Sequence, residues 1–157
     1  EIMPSLVGSE MCIRDRLINY CSTVTDSRID IRNISAALSF VNNCFRNEKQ
    51  EKFKVICIDS GFHIKSVTDI SAGGARFTPV DFRELTKAVL NSGTDIVILA
   101  HNHPDSPNTP SQEDVTLTRE VMRYMRCLGV TVLDHYITGK NGTISMRNCG
   151  LIHDMEC

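Results

Sequence analysis

At 157 residues the chain has the length of one domain, and its 41% hydrophobic and 23% charged residues are the mix of an ordinary folded protein, which excludes a disordered or fibrous chain. A formal net charge of -2 supplies no general attraction to nucleic acid or to anionic lipid. Apolar runs such as IVILA (96–100) are far too short to span a bilayer, and the first residues lack the basic-then-apolar order of a secretory signal, so a cytoplasmic protein with no membrane role is expected.

Residues 1–16, which include PSLVGSEMCIRDR, have no amphipathic period and resemble translated library-adapter sequence. They are set aside as non-native, the native N-terminus is expected to be missing, and 17–30 is read as a linker. From Asn33 onward, Ile34, Ala37, Leu38, Val41 and Phe45 fall at helical spacing, which predicts a helix to about residue 47. KFKVICIDS (52–60) then alternates Phe53, Val55 and Cys57 against Ile56 and Ile58, the pattern of a strand covered on both faces. HIKSVTDIS (63–71) reads as its hairpin partner. Thr78 and Pro79 predict the cap and first residue of a second helix with an apolar stripe of Phe82, Leu85 and Val89, stopped by Gly93.

DIVILAHNH (95–103) has strand length and leads into a loop with Pro104, Pro107 and Pro110. A third helix is expected from Ser111 to about Cys127, and VTVLDHYIT (130–138) and TISMR (143–147) form two strands joined at GKNG. Helices interleaved with strands, with hairpins at both ends, predict an α/β fold in which one mixed β-sheet is flanked by helices. The seven cysteines (12, 21, 44, 57, 127, 149 and 157) are odd in number and contain no C-x-x-C pair, so reduced thiols are expected, with Cys57 and Cys127 acting as small buried hydrophobes.

The chemistry concentrates in AHNHPDSPNTPSQED (100–114). His101 and His103 lie two apart at a strand end, so both imidazoles point to the same side. Asp114, just inside the next helix, can fold back to meet them, giving two nitrogens and one oxygen with a position left for water, the composition of a catalytic zinc site. Hydrolysis also needs a proton carrier and a donor for the developing oxyanion. Ser111 suits the second role, and Glu51, immediately before a strand, is the best placed for the first, with Glu48 as its competitor in the same charge run.

H-x-H-P, six residues, then S-x-x-D, with an upstream Glu, resembles the JAMM signature of JAB/MPN-domain metallohydrolases. EKFKVICID, ISAGG, FRELTKAVLNSGTDIVILAHNHP, TPSQED and GVTVLDHYITGKNGTISM resemble segments of the RadC-like branch in the same order, so 31–151 is read as a RadC-like JAB/MPN domain and 152–157 as a tail. The resemblance implies a fold related to the cytidine-deaminase architecture, metal ligands at His101, His103 and Asp114, one zinc (Zn2+) per chain, an acid/base at Glu51 and a serine at Ser111. It implies a peptide or protein substrate cut at a peptide or isopeptide bond. Asp105 and Ser106 stand where members often have Ser-Gly, and Phe82-Arg83-Glu84 where the branch has Pro-Arg-Glu, which alters a helix start and no ligand. The helix-hairpin-helix region that precedes the domain in longer members is not seen, so direct nucleic-acid binding is not expected.

Each motif also has a plainer reading. Ser111 to Asp114 is a capping-box pattern that satisfies a helix start with no metal at all. Asp134-His135 reads either as support for a ligand or, at the histidine, as a satisfied core residue, and His63 and His153 are assigned nothing. The contiguous tripeptide HNH does not have the dispersed spacing of HNH nucleases, and the H-x-E and P-C-x-x-C of zinc deaminases are absent. Two functions follow: a JAMM-type zinc metallopeptidase, or a non-catalytic RadC-like binding module associated with DNA repair or mobile elements. Substrate and oligomeric state are not legible.

Overall fold

A computed structural model of the chain describes residues 29–71 and 80–153. Helix α1 (Ile34–Cys44) begins at Asn33, whose side chain accepts from the Ala36 amide, and buries Ala37, Val41 and Cys44. It is shorter than the periodicity predicts: Phe45 and Arg46 donate to the carbonyls of Asn42 and Asn43, each three residues back, and the chain turns so that Phe45 enters the core. Strand β1 (Phe53–Ile58) is buried along its whole length, as a strand covered on both faces must be. It pairs antiparallel with β2 (Ile64–Asp69) through a turn in which one Asp59 carboxylate oxygen accepts from the Gly61 and His63 amides.

Helix α2 (Phe82–Ser92) starts later than the Thr78-Pro79 signal suggests, and those two residues lie outside the described ones. Val80 is still extended, bridged to Ser71, and the Asp81 amide donates to the Ile70 carbonyl. The Asp81 carboxylate then caps the helix by accepting from Arg83 and Glu84, so a side chain and a strand bridge together outweigh the local proline signal. Strand β3 (Ile96–Asn102), helix α3 (Gln112–Cys127), strand β4 (Thr131–Gly139) and strand β5 (Gly142–Ser145) follow. Strand β5 ends two residues before the expectation, where Met146 turns into a small core with Val115, Ile137 and Ile152.

The sheet has the order β2-β1-β3-β4-β5, with β3 and β4 parallel and the other neighbours antiparallel. It is the mixed sheet flanked by helices that the element order predicts, consistent with the JAB/MPN fold. Alternation splits the core cleanly. Phe53, Val55, Cys57, Val97 and Leu99 pack with Leu85 and Val89 of α2 and Val121 and Met125 of α3. Ile56, Ile58, Ile98 and Ala100 pack on the other face against Ala37 and Val41 of α1. Cys57 is buried as expected, but Cys127 is exposed: it lies about 200° around the helix from Met125, off the apolar stripe. Cys12, Cys21 and Cys157 lie outside the described residues. Among the described residues no helix is long and apolar enough to cross a membrane.

Candidate metal centre

The strand parity that sends Val97 and Leu99 toward α3 also sends His101 there, and His103 follows one residue beyond the strand, tied by its amide to the Thr138 carbonyl at 2.7 Å. Helix α3 presents Asp114 from its first turn. The Nε2 atoms of His101 and His103 are 2.8 Å apart, Asp114 Oδ1 is 3.2 Å from His101 Nε2, and Asp114 Oδ2 is 3.6 Å from His103 Nε2. A tetrahedral zinc with bonds of about 2.0–2.1 Å would hold its donors about 3.3 Å apart, and these separations bracket that value. The three residues named from the sequence therefore converge on one point and form a cluster able to hold a metal ion.

The hydrogen bonds behind the cluster dictate which ring nitrogens face it. Thr118 Oγ1 donates to the Asp114 carbonyl at 2.6 Å, an oxygen that can only accept, so toward His135 Nδ1, also at 2.6 Å, it accepts. Burial, and then the neighbouring His101, push the His135 pKa well below the usual histidine value, so this ring is neutral and carries its single proton on Nδ1. Its bare Nε2 accepts from His101 Nδ1 at 2.9 Å. His103 Nδ1 donates to the Pro107 carbonyl at 3.2 Å. Each of the two histidines thus spends its Nδ1 proton outward and turns its Nε2 inward, the nitrogen a metal would take. Two lone pairs and a carboxylate facing one another call for positive charge between them, supplied by an extra proton or by a cation. Burial works to raise the Asp114 pKa, but His101, a charged donor when it carries that extra proton, together with the Ser111 hydroxyl and amide outweighs it and holds the carboxyl below its usual range.

His135 reaches this position through an irregularity. Between the pairs Val97 with Val132 and Ile98 with Asp134 the register slips, leaving Leu133 as an extra residue in β4. Val132 and His135 consequently face α3 alike, and Phe53 closes over both histidines, stacked at 4° on the His101 ring and tilted against His135. Asp134 acts elsewhere, its carboxylate accepting from the Ser145 hydroxyl and from the His135 and Arg147 amides and so bracing the exit of β5. His135, fully buried with both ring nitrogens bonded, fits both sequence readings at once, a satisfied core histidine and a support for His101.

The cluster forms the floor of an open cleft of about 350 Å³ whose walls include Glu51, Lys52, Phe53, Ser106, Pro107, Ser111, Glu113 and Leu117. Glu51 is exposed at its rim. Glu48 pairs instead with the buried Lys54 at 3.2 Å on the α1 side of the sheet. Ser111 completes the capping box: its hydroxyl accepts from the Asp114 amide at 3.1 Å and donates to Asp114 Oδ2 at 2.7 Å. His63 belongs to the β1–β2 turn, bonded to Asp59. Sequence reasoning misses Thr118, although its place four residues after Asp114 puts it on the same helix face.

A mixed sheet carrying two strand-end histidines and a helix-start aspartate at the floor of an open cleft defines a JAB-type domain. The family profile described as RadC-like JAB domain matches residues 31–151, and the chain belongs to that family. It is 34% identical over 125 residues to a UPF0758 protein of Symbiobacterium thermophilum, covering 80% of this chain and 53% of that protein. A UPF0758 protein of Clostridium botulinum is 32% identical over 127 residues, covering 81% and 56% of the two chains. One from Syntrophomonas wolfei is 36% identical over 107 residues, covering 68% and 46%. The chain spans about half the length of these relatives.

Proposed function

We propose that the domain is a cytoplasmic zinc-dependent hydrolase of the JAMM type, holding one zinc per chain and cleaving a peptide or isopeptide bond in a peptide or protein substrate. The observation that carries this reading is the convergence of the His101 and His103 Nε2 atoms on the buried Asp114 carboxylate in a cleft open to substrate. His101, His103 and Asp114 would hold the ion. Zinc bound by three protein ligands supplies a Lewis acid and brings the pKa of a coordinated water to about 7.

The chain's own residues account for the remaining steps. The Glu51 carboxylate takes a proton from the attacking water and returns it to the amine nitrogen as the carbon–nitrogen bond breaks. Ser111 Oγ–H, given to Asp114 in the free protein, turns to the substrate carbonyl oxygen as negative charge develops there. Phe53, Pro107 and Leu117 offer apolar contact to the chain on either side of the bond. The test is zinc content by elemental analysis followed by a screen of peptide and isopeptide substrates. Hydrolysis that Glu51→Gln abolishes, with zinc retained, supports the reading; a folded protein without zinc refutes it.

One observation favours a second reading, the non-catalytic RadC-like binding module tied to DNA repair or mobile elements. The Ser111–Asp114 capping box is complete without any metal, so these residues have a sufficient structural reason to be present. Such a module would keep its partner and its phenotype in Glu51→Gln.

A further inference from the structure

The residue between the two histidines, Asn102, points to the opposite side of β3 and is 3% exposed. Its side chain bonds to the short segment that precedes β1. Oδ1 accepts from the Lys52 amide at 2.7 Å, Nδ2 donates to the Gln50 carbonyl at 3.1 Å, and the Asn102 backbone amide reaches the Lys52 carbonyl at 3.3 Å. The regular pairing of β1 with β3 ends at Phe53 and His101, so beyond that pair the amide side chain takes over the bonding. Gln50 and Lys52 flank Glu51, which is exposed and lines the same cleft as the two histidines.

We infer that Asn102 is a positioning residue that locks the 50–52 backbone to the ligand-bearing strand and so holds Glu51 at a set height over the His101–His103–Asp114 cluster. This rests on the hydrolase reading for the role of Glu51, but the clamp is a property of the fold. An exposed glutamate on an unanchored segment samples many positions, and a general base displaced by about 1 Å loses about a hundredfold in rate. A clamp built from the residue between the ligands ties the base and the metal to one rigid element.

The test compares Asn102→Ala, Asn102→Asp, Glu51→Gln and the double variant Asn102→Ala/Glu51→Gln, each loaded with cobalt(II). Asn102→Asp keeps the acceptor for the Lys52 amide and loses the donor to Gln50, so it serves if the alanine variant folds poorly. Cobalt affinity is expected to stay within about threefold of wild type, because the ligands keep their own hydrogen bonds. The pH midpoint of the cobalt absorption band is expected to shift in Asn102→Ala in the same direction as in Glu51→Gln, with no further shift in the double variant. On a cleaved substrate kcat should fall about tenfold or more at nearly constant KM, and the double variant should be no slower than Glu51→Gln. An unchanged band midpoint, or losses that multiply in the double variant, overturns the inference. A wild type that binds cobalt and cleaves nothing refutes the peptidase reading and leaves the clamp to be decided by the spectrum. A folded wild type that binds no cobalt refutes both.

Discussion

His135 Nε2 accepts from His101 Nδ1 at 2.9 Å, and the His135 ring has no contact with solvent. That contact sets the tautomer of a candidate ligand from a residue that itself touches no ion. Replacing His135 with Phe keeps an aromatic ring beside Phe53 but strands the His101 proton without an acceptor. Zinc affinity, read by competition with a chromophoric chelator, is expected to fall about 10–100-fold. Thr118→Val should lower it in the same direction, since it leaves His135 free to put its proton on Nε2, facing His101.

Gly139 controls the other histidine. A Cβ built there would lie 2.4 Å from Asn108 N and 2.5 Å from the Pro107 carbonyl carbon, both backbone atoms. The Pro107 carbonyl is the acceptor for His103 Nδ1, so the loop cannot retreat without moving the bond that orients the ring. Gly139→Ala is expected to weaken zinc binding by about tenfold or more, within the range for losing a ligand's hydrogen-bond partner. Far-ultraviolet circular dichroism should be unchanged. Wild-type affinity in this variant would show that the loop path does not govern His103.

The parts of this site that are legible in the sequence are those set by neighbours along the chain. Two histidines in i, i+2 spacing at a strand end share a face whatever the rest of the sheet does, and Ser111 to Asp114 marks a helix start by itself. His135 is ambiguous in sequence because its side depends on the extra residue Leu133, and that bulge exists only through the pairing of β4 with β3. Asn102 escapes notice because its partners lie about fifty residues away, on a segment whose own sequence looks like a solvated charge run. The same cause explains the helix start at Phe82: the bridge from Ser71 to Val80 is a tertiary contact, and it outranks Thr78 and Pro79.

Asp134 provides a prediction in pH. Burial raises its pKa, and bonds from the Ser145 hydroxyl and the Arg147 and His135 amides offset this only in part. A carboxyl whose folded pKa exceeds its unfolded value binds its proton more tightly in the folded state. Its contribution to stability therefore declines as pH rises from the ordinary carboxylate value through the folded one. Asp134→Asn removes that titration while its amide oxygen can still accept from both backbone amides. The melting temperature of Asp134→Asn relative to wild type should be highest above neutral pH and fall as the pH drops into the carboxylate range. A difference that does not vary with pH would show that the carboxyl is not raised.

Capping and ligation meet in Ser111 and Asp114, and thermal unfolding with and without zinc separates them. Ser111→Ala removes the cap of α3 and is expected to cost about 0.5–2 kcal/mol in the metal-free protein. It also takes one hydrogen bond from Asp114 Oδ2 but leaves the Ser111 amide bonded to that oxygen and both histidines untouched, so zinc should still raise its melting temperature, by less than the wild-type increment. His103→Ala takes away one of the inward Nε2 atoms and leaves the capping box intact. Its metal-free melting temperature should stay near that of wild type, while the zinc increment, worth about 2.7 kcal/mol at a hundred times Kd for the intact site, should vanish. If Ser111→Ala lost the increment and His103→Ala kept it, the zinc would be bound elsewhere and the cluster would owe its geometry to the helix start alone.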